Sequence, residues 1–350
     1  MMEKPLICKI PQKELGEFVS WLQERFPVYG IKKKNDRLTF EKIEEPDEVV
    51  IGGARTTQPI LKELFFAPRE KVADYFVGEN IPQEKEEREK KIIFGVKSCD
   101  LKGLLVYDKV FRESSPVDPF YLDRRGEYYI ISSDCTTPLS TCFCSFMEIN
   151  PYPETLFDLN LTPLEDIILL EVGSRWGERV VKEYPTYLAE PKDIEKRKKF
   201  RESIVEQVRK VNEGILPLSL PYANLMRVEF NSSVWDEEAK SCVACGGCNA
   251  ICPTCYCYLL YDEGGEKDYE RIRIWDYCQY PSFAQEAGGS NPRRRLTERF
   301  RHRYVHKFDY GMVRNGIYEC SGCGRCIEVC AGKIDMRKVL KKVEERKVEK

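Results

Sequence analysis

A chain of 350 residues with 42% hydrophobic content is long enough for two domains and can bury a substantial core. Its 56 basic residues nearly cancel its 58 acidic ones, which argues against a whole-protein field aimed at nucleic acid or an anionic membrane. No run approaches the ~18–20 apolar residues that span a bilayer, and the start, MMEKPLICKIPQKE, lacks the apolar stretch and cleavage site of a secretion signal, so the chain reads as cytoplasmic.

The N-terminal part, residues 1–235, reads as an α/β domain. Leu15, Phe18, Val19, Leu22 and Phe26 fall near helical spacing, which predicts an amphipathic helix over 12–26. RLTFEKI (37–43) and DEVVIGG (47–53) read as short strands. KIIFGV (91–96) is a β-rich apolar run that stops just before Cys99. Asp100 is placed to cap a helix over LKGLLVYDKVF (101–111). EYYIIS (127–132) is a further strand, ending before Cys135, and DIILLEV (166–172) is another. Strands alternating with helices give α/β topology. Residues 191–213 predict a long charged helix acting as a solvated connector. The prolines of PLSLPYAN (217–224) mark a boundary. A cysteine-rich domain, residues 236–350, follows. Within it 259–275 is polar and charged, 294–307 is compatible with a helix, and the tail from Met336 reads as a Lys/Glu helix with a fraying end.

There are 16 cysteines and two histidines, His302 and His306. In a large chain with no export signal, clustered cysteines hold metal or do redox chemistry. Scarce histidine argues against mixed Cys/His zinc sites, haem, copper and non-haem iron. The first cysteine run is Cys242-x2-Cys245-x2-Cys248-x3-Cys252-Pro253. The second is Cys320-x2-Cys323-x2-Cys326-x3-Cys330, with Ala331 in place of the proline. Three cysteines at three-residue intervals let one loop wrap three irons of a cubane. In two-cluster ferredoxins the fourth turns away and ligates the other cluster. The expected sets are Cys242, Cys245 and Cys248 with Cys330, and Cys320, Cys323 and Cys326 with Cys252. Zinc ribbons use two-cysteine knuckles, not four cysteines in eleven residues. Two [4Fe-4S] clusters are therefore the reading, with a zinc-stabilised structural or interaction protein as the alternative. The runs are separated by 67 residues. That insertion suggests a larger, mainly helical ferredoxin-like domain.

Cys99 and Cys135 each follow a strand, and Cys142 and Cys144 come soon after. Strand ends in one sheet can lie side by side, so these four thiols could converge on a third [4Fe-4S] cluster. The other reading is buried free cysteines, and both stay open. Cys8 reads as a core residue. Cys255, Cys257 and Cys278 read as packing beside the clusters. The six arginines of 293–307 read either as a solvated helix face or as cations that stabilise a reduced cluster or dock an acidic partner such as ferredoxin. No strand–GxGxxG–helix pattern is present, which places flavin and NAD(P) on a partner. No Ser/His/Asp set or carboxylate dyad stands out.

The strings GVKSCDLKGL, DCTTPLSTCFCSF, CVACGGCNAICPTCYC, WDYCQYPSFAQEAGGSNPR and CSGCGRCIEVC resemble one family. It is the 4Fe-4S dicluster family that includes the A-type subunit of anaerobic sulfite reductase and the β subunit of cytoplasmic sulfhydrogenases. The resemblance spans about residues 60–335. It implies a non-catalytic electron-transfer subunit of a soluble oxidoreductase complex. The implied partners are a flavin subunit binding NAD(P)H and a catalytic subunit, either [NiFe] hydrogenase or sulfite/sulfur reductase. Similar subunits of heterodisulfide-reductase-like complexes are an alternative.

Overall fold

The computed structural model describes residues 5–35, 37–76, 89–264 and 268–348. Residues 1–4 of the start, and residues 349 and 350 on which the fraying expectation falls, lie outside them. The strands are β1 Ile7–Pro11, β2 Val28–Lys34, β3 Arg37–Lys42, β4 Arg69–Phe76, β5 Lys91–Val96, β6 Tyr128–Ser133, β7 Leu159–Pro163, β8 Ile167–Val172, β9 Tyr187–Leu188, β10 Tyr258–Gly264 and β11 Asp268–Trp275. The helices of the N-terminal part are α1 Leu15–Gln23, α2 Ile60–Phe65, α3 Ser98–Tyr107, α4 Pro119–Glu127, α5 Arg175–Glu183 and α6 Pro191–Lys210. Those that follow are α7 Tyr222–Val228, α8 Val234–Ala239, α9 Gly247–Ala250, α10 Leu296–Val305, α11 Gly311–Asn315, α12 Arg325–Glu328 and α13 Met336–Val348.

Among the described residues, eight strands form one mixed sheet in the order β3-β2-β5-β6-β7-β8-β1-β9. Its centre is parallel: β2 pairs β5, β5 pairs β6, and β6 pairs β7 in the same direction. Parallel strands are covered on both faces, so they read as nearly continuous apolar runs. Five of the six residues of β5, KIIFGV, are buried. One face carries a core with Phe18, Leu22, Phe94, Ile131, Leu170 and Val180. The other packs Ile93, Phe66, Leu104, Tyr107 and Tyr121.

A second, antiparallel sheet has the order β10-β11-β4. The insertion between the cysteine runs thus holds a hairpin as well as helices. The hairpin pairs across sequence with residues 69–76. A third core joins α7, α8, α10 and α13 through Leu225, Trp235, Tyr304 and Leu340, and takes in Phe143 and Met147 from the N-terminal half. Among the described residues, no helix is long and apolar enough to cross a membrane.

Three local expectations are corrected. DEVVIGG is not a strand: Pro46–Glu48 form a 3-10 turn, and only Val49 bridges to Lys32. The Ile51 carbonyl is taken instead by Lys97 Nζ at 2.7 Å and by Ser133 Oγ at 3.0 Å. Asp100 does not cap its helix, which begins at Ser98 after Lys97. Its carboxylate pairs with the buried Arg325 guanidinium at 3.0 Å. Finally, the helix predicted over 191–213 is no solvated connector. Arg201 binds Asp134 at 2.8 Å and Arg197 binds Glu171 at 2.8 Å, while Ile204 and Val208 are buried.

Candidate metal centres

The two cysteine runs build matching loops. Two residues after the leading cysteine, Ala244 and Gly322 adopt φ of 53° and 61°. Four residues after it, Gly246 and Gly324 adopt 73° and 72°. Such left-handed positions curl a backbone around a centre and turn successive amides inward. Each loop then enters a short helix, α9 or α12, and the two helices pack together. This pairing carries the fourth cysteine of each run toward the other loop.

Cys242, Cys245, Cys248 and Cys330 line a first cavity. Cys252, Cys320, Cys323 and Cys326 line a second. Cys326 borders both. Cys99, Cys135, Cys142 and Cys144 line a third. The sheet explains that meeting: β5 and β6 are parallel neighbours with Val96 beside Ser132, so their ends deliver Cys99 and Cys135 side by side. The loop bearing Cys142 and Cys144 folds back against the second run, where Phe143 N–H donates to the Gly322 carbonyl at 2.7 Å. Cys255, Cys257 and Cys278 meet in a fourth cavity. Cys8 sits in the sheet core.

The seam between the second and third cavities depends on Gly322. A Cβ there would lie 2.6 Å from the backbone of Cys144, on a residue already at positive φ. Gly322→Ala is expected to destabilise the protein by about 3 kcal/mol or more. A thermal melt checks this; an unchanged melting temperature would mean the seam is not tight.

The donor set fits iron–sulfur clusters on two observations. Thiolates are the ligands such clusters take, and eight of these cysteines stand in the ferredoxin spacing, whereas zinc ribbons use two-cysteine knuckles. The second observation is a set of buried cations around the cavities. Arg303 is 5% exposed and borders the first, second and fourth cavities, and its Nη1 has no hydrogen-bond partner. Lys307, also buried, borders the second and fourth and donates to Thr254. Lys97 lies between the ends of β5 and β6 and donates to the Ile51 carbonyl, Ser133 Oγ and the Asp134 carbonyl. Buried cations facing neutral groups are costly unless negative charge lies nearby. A thiolate-ligated cluster supplies that charge.

Burial pushes the thiols of Cys135 and Cys320 up to about 12 and that of Cys248 up to about 11. Such thiols give up their proton when a metal takes the sulfur. Cys252 goes the other way. A hydrogen bond from Cys255, with Lys307 and Arg303 nearby, holds it well below the ordinary thiol range.

The arginine-rich stretch is not simply a solvated face. Arg299, Arg303 and Lys307 recur at four-residue intervals on one buried side of α10 and the wider π turn after it, while Arg295 points out. That i, i+4 spacing was the available sequence signal.

The pattern of the 4Fe-4S dicluster domain family matches residues 241–334, which hold both runs. Sulfhydrogenase 2 subunit beta of Pyrococcus furiosus is 34% identical over 343 residues, covering 96% of this chain and 98% of that protein. The chain belongs to the sulfhydrogenase β-subunit family of 4Fe-4S dicluster proteins. No solved structure matches it. Membership makes this an iron–sulfur electron-transfer subunit, and the matched domain makes [4Fe-4S] clusters its cofactors.

Proposed function

We propose that the chain relays electrons between a flavin subunit that binds NAD(P)H and a catalytic subunit, either a [NiFe] hydrogenase or a sulfite/sulfur reductase. The observation that carries this is the adjacency of the cysteine-lined cavities. The first borders the second through Cys326, and the second borders the third across the Gly322 seam. One end reaches the surface, since Cys245 is exposed and its neighbour Val243 is 63% exposed. The other end lies just past the ends of β5 and β6 in the large sheet.

In this reading Cys242, Cys245, Cys248 and Cys330 hold one cluster, and Cys252, Cys320, Cys323 and Cys326 hold the second. Cys99, Cys135, Cys142 and Cys144 hold a third. Residues 1–235 carry the third site and 236–350 the first two. A [4Fe-4S] cluster supplies one-electron chemistry at each position. The chain's own groups exclude water, supply ligands and place Lys97, Arg303 and Lys307 to stabilise added negative charge. The name of the Pyrococcus relative marks it as one subunit of a sulfhydrogenase, which supports a hydrogenase as the catalytic partner.

The test uses anaerobically purified holoprotein and NADPH, with visible bleaching as the readout. Clusters are expected to bleach only when the flavin subunit is present. Bleaching by NADPH alone, or sulfite reduction by the isolated chain from a chemical donor, would overturn the relay.

A further inference from the structure

Cys255, Cys257 and Cys278 belong neither to the two ferredoxin runs nor to the four thiols at the ends of β5 and β6. The fold nonetheless gathers them. Cys257 directly precedes β10 and Cys278 follows β11, and the hairpin register pairs Tyr258 with Trp275. The Asp276 amide donates to the Cys257 carbonyl at 3.0 Å, closing the hairpin base. Cys255 joins them through a turn in which its amide donates to the Cys252 carbonyl. The three line one cavity, and His306 lines it too.

We propose that Cys255, Cys257, Cys278 and His306 hold a further iron–sulfur cluster. His306 has the environment of a metal-ligating imidazole. Its Nε2 lies 2.6 Å from Oε2 of Glu319, whose side chain is fully buried, and 3.1 Å from the Tyr256 hydroxyl. A carboxylate on one ring nitrogen fixes the tautomer and raises the basicity of the other, which is the usual second partner of a ligating histidine. The sulfurs have donors as well. Asn249 Nδ2 lies 3.1 Å from Cys278 Sγ and 3.8 Å from Cys255 Sγ.

The charges point the same way. Arg303, with its unpartnered Nη1, and the buried Lys307 both border this cavity. Lys62, 2% exposed, donates to the carbonyls of Asn249 and Ala250 and sits 3.9 Å from the Trp275 ring centroid. Arg303 and Lys307 are thus shared between the second cavity and this one, beside three thiols and a histidine, and suit an anionic occupant in both. Three thiolates and an imidazole are donors that an iron–sulfur cluster takes, and the iron, sulfide and zinc content separates a cluster from a single zinc ion. Arg303 borders both dicluster cavities, and Asn249 also lies 3.6 Å from Cys248 Sγ. The site is therefore placed to exchange single electrons with the relay.

The experiment measures iron, acid-labile sulfide and zinc per chain in anaerobically purified holoprotein and its variants. Cys257→Ser and Cys278→Ser are each expected to lose about four irons and four sulfides relative to the parent. His306→Cys is expected to keep its iron and to lower the midpoint potential of one centre, because imidazole ligation raises the potential. Unchanged iron and sulfide in both serine variants would overturn the proposal. So would one zinc per chain in the parent that the variants lack. Should the serine variants fail to fold, His306→Cys decides alone, and unaltered potentials in it would overturn the site. Cys245→Ser run in parallel separates this outcome from failure of the ferredoxin reading, since it should lose its own iron whether or not the fourth site exists.

Discussion

Serine in place of Cys323 is expected to harm the protein more than serine in place of Cys245, although both are the second cysteine of their run. Each change should remove about four irons per chain. The surroundings differ. Cys245 is exposed beside a surface cavity, so the protein around it can relax and be hydrated. Cys323 is buried, and its carbonyl accepts from Arg55 Nε at 2.6 Å. Arg55 in turn binds Glu328 at 2.7 Å. The same loop is pressed against Phe143 and Cys144 through Gly322. The helix that follows this loop carries Arg325, which ties it to the third site through Cys99 Sγ at 3.8 Å and Asp100 at 3.0 Å. Because ligation is part of the folding free energy, Cys323→Ser should cost about 3–5 kcal/mol of stability and disturb the third site as well. Cys245→Ser should stay folded with its other clusters in place. Iron and sulfide assays with a thermal melt check both. If Cys323→Ser melts at or above Cys245→Ser, the buried loop is not the more coupled of the two.

The legible parts of this chain were those set by local spacing. The eight cysteines of the runs announce themselves, because a cubane demands three thiolates from one tight loop. Strands β5 and β6 were also readable, since central parallel strands must be apolar throughout. Their ends deliver Cys99 and Cys135. What escaped was long-range. Asp100 looks like a helix cap until Arg325, 225 positions away, is seen beside it. The charges of α6 look solvated until Asp134 and Glu171 come under Arg201 and Arg197. The hairpin of β10 and β11 was hidden because Leu259 and Leu260 are themselves exposed and no clean alternation marks a buried face. Its third strand, β4, comes from far upstream. Cys255, Cys257 and Cys278 were noticed but had no spacing signature, and only that hairpin brings them together.

Arg303→Met is expected to make the clusters harder to reduce. Arg303 borders three cysteine-lined cavities, and it has an unpartnered nitrogen and one hydrogen bond, to the Cys248 carbonyl at 3.1 Å. Reduction adds one negative charge to a cluster, and a fixed positive charge nearby favours that state. At ~6 Å and an effective dielectric of ~20 the interaction is about 3 kcal/mol. For a one-electron couple that corresponds to roughly 130 mV. Methionine keeps most of the side-chain volume and removes the charge, so the midpoint potentials should fall by up to that amount while the iron content stays. Arg303→Lys should retain most of the parent value, because charge and not the guanidinium shape is at work. Arg295→Met is the control, since Arg295 lies on the outer side of the same stretch, paired to Glu298 at 3.0 Å. A redox titration followed by electron paramagnetic resonance gives the three values. A shift in Arg303→Met no larger than that in Arg295→Met would show that the buried arginine serves packing alone. A shift confined to Arg303→Met would make the inward face of α10 the part of this chain that sets how readily its clusters take an electron.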